Sequence, residues 1–565
     1  MNKYIILSVC GMSLLLTSCF NLDLNPLSEG SSENWYSTEE ELNMSARFMY
    51  ANKYWNNDGD AYTDNWTSRT DLSGISDGTL NGQSGSVKNM WEYSYEAIAR
   101  ANNLLENIQH ARDNGVREDF LTGIEGEALF VRAAQYARLV AHFGDVVYPH
   151  GSITDLDEAF KMGRTDKEIV IKGIYEDFDA AADKLNVQPR TSELRATKGM
   201  AYAFKARAAI YNGDYDVAAE ASKKCMDLDC YDLHPDFGNL FLGATKTSKE
   251  FIFMIPRSVE LGFKFGTRTY VSRCAKGFAQ YCPSWDLMCA FLCSDGLPID
   301  ESPLYNPQQP FKNRDPRCAE TIVEFGTPFL GYDYDPNPYT TTVTEYSTGK
   351  TVSNNDNRVI NQYASFNGLL WKKGVDESWL QNSFQTDKNE IIMRYAEVLL
   401  IYAEAKIEMN DIDQSVLDAI NKVRARAYGV SVSDTDKYPA VTVTDPAKLR
   451  SIIRFERRME FANEGLYYMD IIRWRIAEKS LNTPVFGMLD PADLMTKVVD
   501  RGLWFFPGTP DVDENAISDF SAMYQAGLIK LLVQRKFDSS RQYLWPIPTK
   551  EILINENLKP QNPGY

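Results

Sequence analysis

Two apolar-periodic stretches, Thr197 to Tyr211 and Val217 to Met226, are joined by the turn Asn212-Gly213-Asp214-Tyr215, and this pairing constrains the fold more than any other feature of the chain. Ala201, Ala206 and Ala209 on the first stretch, with Ala218, Ala219 and Ala221 on the second, are small enough for two helices to approach closely. The same helical period recurs from Val87 to Ile108, where Trp91, Tyr95, Ile98 and Leu105 share a face, from Phe120 to Phe143, and from Ile169 to Leu185. Ahead of these, Ser37-Thr38-Glu39-Glu40-Glu41 carries capping-box spacing and opens a helix towards Trp55. Residues 389–429 supply one more helix pair, and Asp445-Pro446 reads as an N-cap with proline at the first helical position of another helix.

The helix–turn–helix unit, about 34 residues long, resembles a tetratricopeptide repeat. The expected fold is therefore mainly α: a tetratricopeptide-like helical-repeat scaffold over 37–230, and a large, irregular, loop-rich subdomain over 231–388. In that second region Gly, Pro, Asn, Asp and Tyr dominate, as in GYDYDPNPYT (331–340) and NNDN (354–357), which is turn chemistry. Irregular stretches this long in a compact chain usually carry function, so 231–388 is the expected ligand-binding subdomain. Helices return over 389–565, interrupted by a loop insertion across 483–545.

Two charged, aromatic-studded stretches lie in that last region. In MRYAEVLLIYAEAKIEMN (Met393–Asn410), Tyr395, Val398, Leu399, Tyr402, Ala405 and Met409 recur at helical spacing, with Arg394, Glu397, Glu404 and Glu408 on other faces. In RFERRMEFANEGLYYMDIIRWR (Arg454–Arg475), opposite charges fall repeatedly three and four residues apart, which predicts a structural ion-pair network. Together with the ending YLWPIPTKEILINENLKPQNPGY (Tyr543–Tyr565), these stretches resemble, motif by motif and in order, the SusD/RagB family of outer-membrane nutrient-binding lipoproteins. SDGLPID (Ser294–Asp300) and NRDPR (Asn313–Arg317) extend the likeness over nearly the whole chain.

The N-terminus has Lys3, an apolar run from Tyr4 to Leu16, and then Leu16-Thr17-Ser18-Cys19, the layout of a secretory signal ending in a lipobox. Residues 1–18 are expected to be removed, Cys19 to be acylated as the outer-membrane lipid anchor, and 19–36 to act as tether. Surface exposure on the cell is what the family resemblance implies.

With a net charge of −19 the surface repels phosphate backbones, so nucleic acid is excluded as a partner. Beyond Cys10 and Cys19 the cysteines are Cys225, Cys230, Cys274, Cys282, Cys289, Cys293 and Cys318, an odd number without a C-x-x-C. Cys225 with Cys230, or a pair within 274–293, are the disulfide candidates, and small buried thiols are the default. The histidines (His110, His142, His150, His234) stand apart from them, so no metal site is expected. Asp511-Val512-Asp513-Glu514 lacks the pattern of a calcium loop and reads as a solvated turn. No cofactor is expected. Gly74-Ile75-Ser76-Asp77-Gly78 has nucleophile-elbow spacing, yet polar loop sequence flanks it where a strand and a helix are required. Asp58, Asp60, Asp64 and Asp71 share one loop, and only their separation in space bears on glycoside cleavage. The expectation is a protein that is not an enzyme.

Binding chemistry is richer. Aromatics make up 12% of the chain, including 31 Tyr and 10 Trp, and several fall in polar loops. Sugar rings stack their C–H faces on aromatic planes while Asp, Asn and Arg beside those planes meet the hydroxyls. Loop 52–82 offers Trp55, Trp66, Arg69 and Asp71; a second cluster offers Arg268, Tyr270 and Tyr281. These seven are the candidate ligand residues, with Trp91 and Trp285 assigned to the core. The family resemblance implies a non-catalytic lipoprotein that captures an oligosaccharide and delivers it to a SusC-like TonB-dependent transporter, which its acidic helical surface would meet. The same scaffold binding peptides, as RagB-like members do, and a tetratricopeptide-type protein adaptor are the alternatives.

Overall fold

The computed structural model describes residues 35–69, 71–153, 155–188 and 195–565. The signal peptide, Cys19 and nearly all of the 19–36 tether lie outside the described residues. The first helix, α1 (Glu39–Phe48), begins with the expected capping box: Thr38 Oγ1 accepts from the Glu41 amide, and the Glu41 carboxylate accepts from the Thr38 amide at 3.1 Å. Next come α2 (Gly85–Asp113), α3 (Glu118–Phe143), α4 (Lys167–Lys184), α5 (Lys198–Asn212) and α6 (Tyr215–Met226). Each of α2 to α6 packs on the next, so the N-terminal half is a stack of antiparallel neighbours. Between α5 and α6, Gly213 adopts φ 83°, the left-handed C-cap that a helix-ending turn demands.

The stack does not stop where the loops begin. After a long excursion the chain returns with α7 (Tyr395–Glu408), which packs against α6 and α5, then α8 (Gln414–Ala427), α9 (Pro446–Glu460) and the short α10 (Tyr467–Arg473). Ala206, Ala209, Ala218 and Ala221 meet Ile401 and Ala405 there in a fully buried seam. The alanines that mark the α5–α6 pair therefore also admit a third helix from nearly two hundred positions later.

Strands are short: β1 (Trp66–Ser68), β2 (Phe251–Ile255), β3 (Phe265–Gly266), β4 (Tyr281–Pro283), the meander β5 (Thr327–Phe329), β6 (Tyr332–Tyr334), β7 (Thr342–Glu345) and β8 (Lys350–Ser353), then β9 (Gln385–Thr386) and β10 (Glu390–Arg394). β10 pairs antiparallel with β2 and β9 with β3, so the two ends of the excursion are bonded to each other. Its interior rests on two further clusters, one around Trp285, Trp371 and Phe505, the other around Val271, Tyr334, Leu370 and Trp379.

Trp91 and Trp285 are core residues, 5% and 2% exposed. The seven described cysteines are all free thiols, and all but Cys230 are buried, so neither disulfide candidate forms. Ser76 is buried and donates to the Ala61 carbonyl at 3.0 Å, which leaves it no nucleophile's exposure. Asp513 accepts the amides of Asn515 (2.9 Å) and Ile517 (2.8 Å) and pairs with Lys479. No helix among the described residues is long and apolar enough to cross a membrane.

Candidate functional site

The two loop regions that the sequence singles out are joined by hydrogen bonds. β1 and β4 form an antiparallel ladder in which Trp66 opposes Pro283 and Ser68 opposes Tyr281. Diagonal neighbours on such a ladder are within reach of aromatic rings, and the Trp66 and Tyr281 centroids are 5.0 Å apart, tilted by 48°. From Tyr281 the series continues to Tyr270 (5.2 Å), Phe265 (5.6 Å) and Trp379 (5.6 Å). These five rings line a cleft of ≈ 440 Å³, together with Phe241, Ile391 and a set of polar residues that includes Asp60, Arg257, Lys388, Glu390, Asn463 and Glu464.

The scaffold motifs hold this wall in place. Arg458, from the ERRMEF segment of α9, donates Nε to Asn65 Oδ1 (2.9 Å), Nη2 to Asp64 Oδ2 (3.0 Å) and Nη1 to the Ala516 carbonyl (2.6 Å). It thereby clamps the two residues that lead into Trp66. Ser284, following β4, donates its amide to the Asn65 carbonyl at 3.0 Å. Gly465, in the same motif region, has φ 74°, and a Cβ there would meet the Asp58 carbonyl oxygen at 1.6 Å; only glycine lets loop 57–60 lie against α10.

Behind the cleft lies the expected ion-pair network. Arg394 donates to Glu250 (2.8 Å), Glu460 (2.6 Å) and Glu464 (2.7 Å), and Arg317 reaches Asp315, Glu456 and Glu460. Burial alone would raise the Glu460 carboxyl, but the surrounding Arg426, Arg394 and Arg317 hold it far below the usual carboxylate range. Two groups in the cleft wall are compensated only in part. Asp60 is 5% exposed, and neither carboxylate oxygen makes a hydrogen bond of ordinary geometry among the described residues. Burial pushes its carboxyl up to about 7, against a partial pull downwards from the Asn463 amide and Lys373. Burial likewise lowers Lys388 to about 8, with the charges of Lys373 and Arg257 adding to the effect. A hydroxyl-bearing ligand would give both groups the partners that the protein does not.

Of the seven candidate residues, the cleft gathers Trp66, Tyr270 and Tyr281. Trp55 is corrected to a core residue. It is 3% exposed, stacked on Phe130 at 5.8 Å with its edge contacts to Phe253 and Phe204, and its indole N–H bonds the Met49 carbonyl at 2.9 Å. The 3-10 turn over Asn52–Tyr54 aims this ring at the α3–α5 interior instead of the loop surface. Arg69 and Arg268 sit beyond the far end of β1, outside the cleft lining, and Asp71 is an exposed residue whose amide bonds the Ser68 carbonyl at 2.7 Å. Sequence reasoning missed Phe265, Trp379, Asp60 as an individual residue, and Lys388. The aromatic pair lay in the region already assigned to ligand binding and was legible there; nothing local marks the other two.

Comparison with known proteins places the chain in a family. A family model described as the SusD family matches residues 249–565, and one described as starch-binding, associating with outer membrane, matches residues 15–210. SusD-like protein P2 of Formosa agariphila is 27% identical over 597 residues, covering 100% of both chains. The crystal structure of a SusD-like carbohydrate binding protein from Bacteroides fragilis superposes with a TM-score of 0.75 at 29% identity, covering 93% of this chain and 99% of that one. A laminarin binding SusD-like protein superposes with a TM-score of 0.61 at 18% identity, covering 94% and 100%.

Proposed function

This chain belongs to the SusD/RagB family, and from that premise we propose that it is a non-catalytic, Cys19-anchored lipoprotein of the outer-membrane surface that binds an oligosaccharide in the Trp66–Tyr281 cleft and delivers it to a SusC-like TonB-dependent transporter. The single observation that carries the binding part is the aromatic series bordered by the buried Asp60 carboxyl and by the half-buried Lys388 ammonium, which lies over the Trp379 ring. Flat rings in sequence suit the C–H faces of successive sugar units, and Asp60 and Lys388 suit their hydroxyls. Carbohydrate-binding and laminarin-binding relatives of the same fold support the ligand class. Stacking and hydrogen-bonding contacts of modest individual strength release quickly, which suits a handover step. The transporter would supply the transport energy, and this protein the capture.

The test is calorimetric titration of the full-length protein with host and plant oligosaccharides and with peptide mixtures, beside a Trp66→Ala variant. Binding of a glycan class that the variant loses is the expected result. Retention of peptides with no glycan bound would overturn it and favour the peptide-binding alternative.

A further inference from the structure

Beyond Trp66 the strand β1 runs on to Ser68, about 7 Å further along at the usual rise per residue, and the chain then turns at Arg69, which has φ 47°. Three guanidinium groups gather there around exposed and half-buried rings. Arg268 lies over Phe278 (4.6 Å) and Phe384 (5.2 Å), Arg273 over Phe278 (5.6 Å) and Tyr363 (5.7 Å), and Arg69 over Tyr363 (5.7 Å). Arg69 Nη2 donates to the Phe278 carbonyl (2.9 Å) and the Tyr363 carbonyl (3.3 Å), and Arg273 Nε donates to the latter at 3.0 Å. Tyr363 is 53% exposed, so the cluster faces solvent.

None of the three arginines makes an ion pair with a carboxylate among the described residues. Asp356, in electrostatic range of Arg273, is buried and already accepts the backbone amides of Arg273 (2.6 Å) and Cys274 (3.2 Å). Asp71, two positions from Arg69, is exposed and bonds it nowhere. Elsewhere in this acidic chain buried arginines such as Arg317, Arg394 and Arg458 are matched with carboxylates. Here positive charges crowd one another: burial, and then the charge of Arg69, depress the Arg273 guanidinium. The rings fix the guanidinium planes, which prepares them for two-pronged contact with a carboxylate or sulfate. Gln280, with its Nε2 3.4 Å from Ser68 Oγ, connects the cluster to the ladder that carries Tyr281.

We infer that Arg69, Arg268 and Arg273 form an anion subsite continuous with the cleft, and that the glycan bound is an acidic one. Sugar rings stack on Trp66 and Tyr281 while carboxylate or sulfate substituents of neighbouring units are held by the three guanidinium groups. This rests on the glycan-binding reading and names the ligand class for it.

The experiment compares the full-length protein with its Arg268→Gln and Arg273→Gln variants by calorimetry. Two matched probe pairs separate the anion sources: polygalacturonate against its methyl ester for carboxylate, and dextran sulfate against dextran for sulfate. Neutral oligosaccharides and peptide mixtures complete the panel. The expected result is that one charged probe binds, that its neutral counterpart binds roughly tenfold or more weakly, and that each variant loses roughly tenfold for the charged probe alone. Raising salt weakens that binding and leaves neutral binding unchanged. Equal binding of charged and neutral probes, or variants indistinguishable from the parent, overturns the anion subsite while the glycan reading stands. Binding of peptides with no glycan bound overturns both. Unchanged melting temperatures in the two variants ensure that lost binding is not lost folding.

Discussion

Asp60 is a carboxyl buried without a hydrogen bond of ordinary geometry to either oxygen among the described residues. Its carboxyl is raised to about 7 by burial, so the folded protein holds a proton that the unfolded chain releases near the ordinary aspartate value of about 3.9. Stability from this group is fully present below the unfolded value and is lost as pH rises to about 7. Asp60→Asn should remove that loss: denaturant midpoints of variant and parent coincide near pH 4, and the variant gains up to roughly 4 kcal/mol at pH 8. A variant whose pH profile parallels the parent's would mean that Asp60 is ionised in the folded protein. The contrast between Trp55 and Trp66 marks the limit of sequence reading at this scale. Both are tryptophans in one polar loop, eleven positions apart. Which of them is core depends on Phe130, Phe204 and Phe253 arriving around Trp55, and no local pattern encodes that arrival.

At the scale of elements, the helices were legible because their signals are local: the capping box at Thr38, Gly213 after α5 and Pro446 opening α9 stand where the chain turns. The cleft was legible only as two separate aromatic regions, because its geometry is set by contacts such as Arg458 with Asp64, 394 positions apart. That contact makes a helix of the scaffold into the support for a binding strand. Arg458→Met should leave the Asp64 carboxylate buried without its charged partner, costing on the order of 3–5 kcal/mol. Hydrogen exchange should then rise at the amides of Thr67, Ser68 and Tyr281 more than in α2, with glycan affinity falling in step. Uniform protection across β1 and α2 would contradict the positioning role. Glu404 adds a pH limit through a separate ion-pair group with Arg473, Arg457 and Asp470: although burial would raise it, Arg473 and Arg457 hold it near 2, so its contribution, present above the ordinary glutamate value, is lost as pH falls towards 2.

Over the whole molecule, the chain's last residues bind its first helices. Trp545 donates its amide to the His142 carbonyl at 2.6 Å and its indole N–H to Tyr468 at 2.8 Å. Asn562, in the QNPGY motif, donates Nδ2 to the carbonyls of Phe143 (2.9 Å) and Trp545 (2.7 Å), while Arg164 donates to its Oδ1 at 2.6 Å. The tail thus caps the α3 end and ties it to the region after α10, completing what α7 begins by packing on α6. A molecule closed at both points should unfold as one body, although loops make up much of its length. Asn562→Ala breaks two buried hydrogen bonds and a half-buried one and removes the side-chain donor from the Trp545 carbonyl, so it should cost about 2–5 kcal/mol. Because the clasp joins both halves, near-UV circular dichroism of the aromatic cleft and far-UV signal from the helices should shift to lower temperature together. Separate transitions, with the helical signal unmoved, would mean that the tail only dresses a stack that is stable without it.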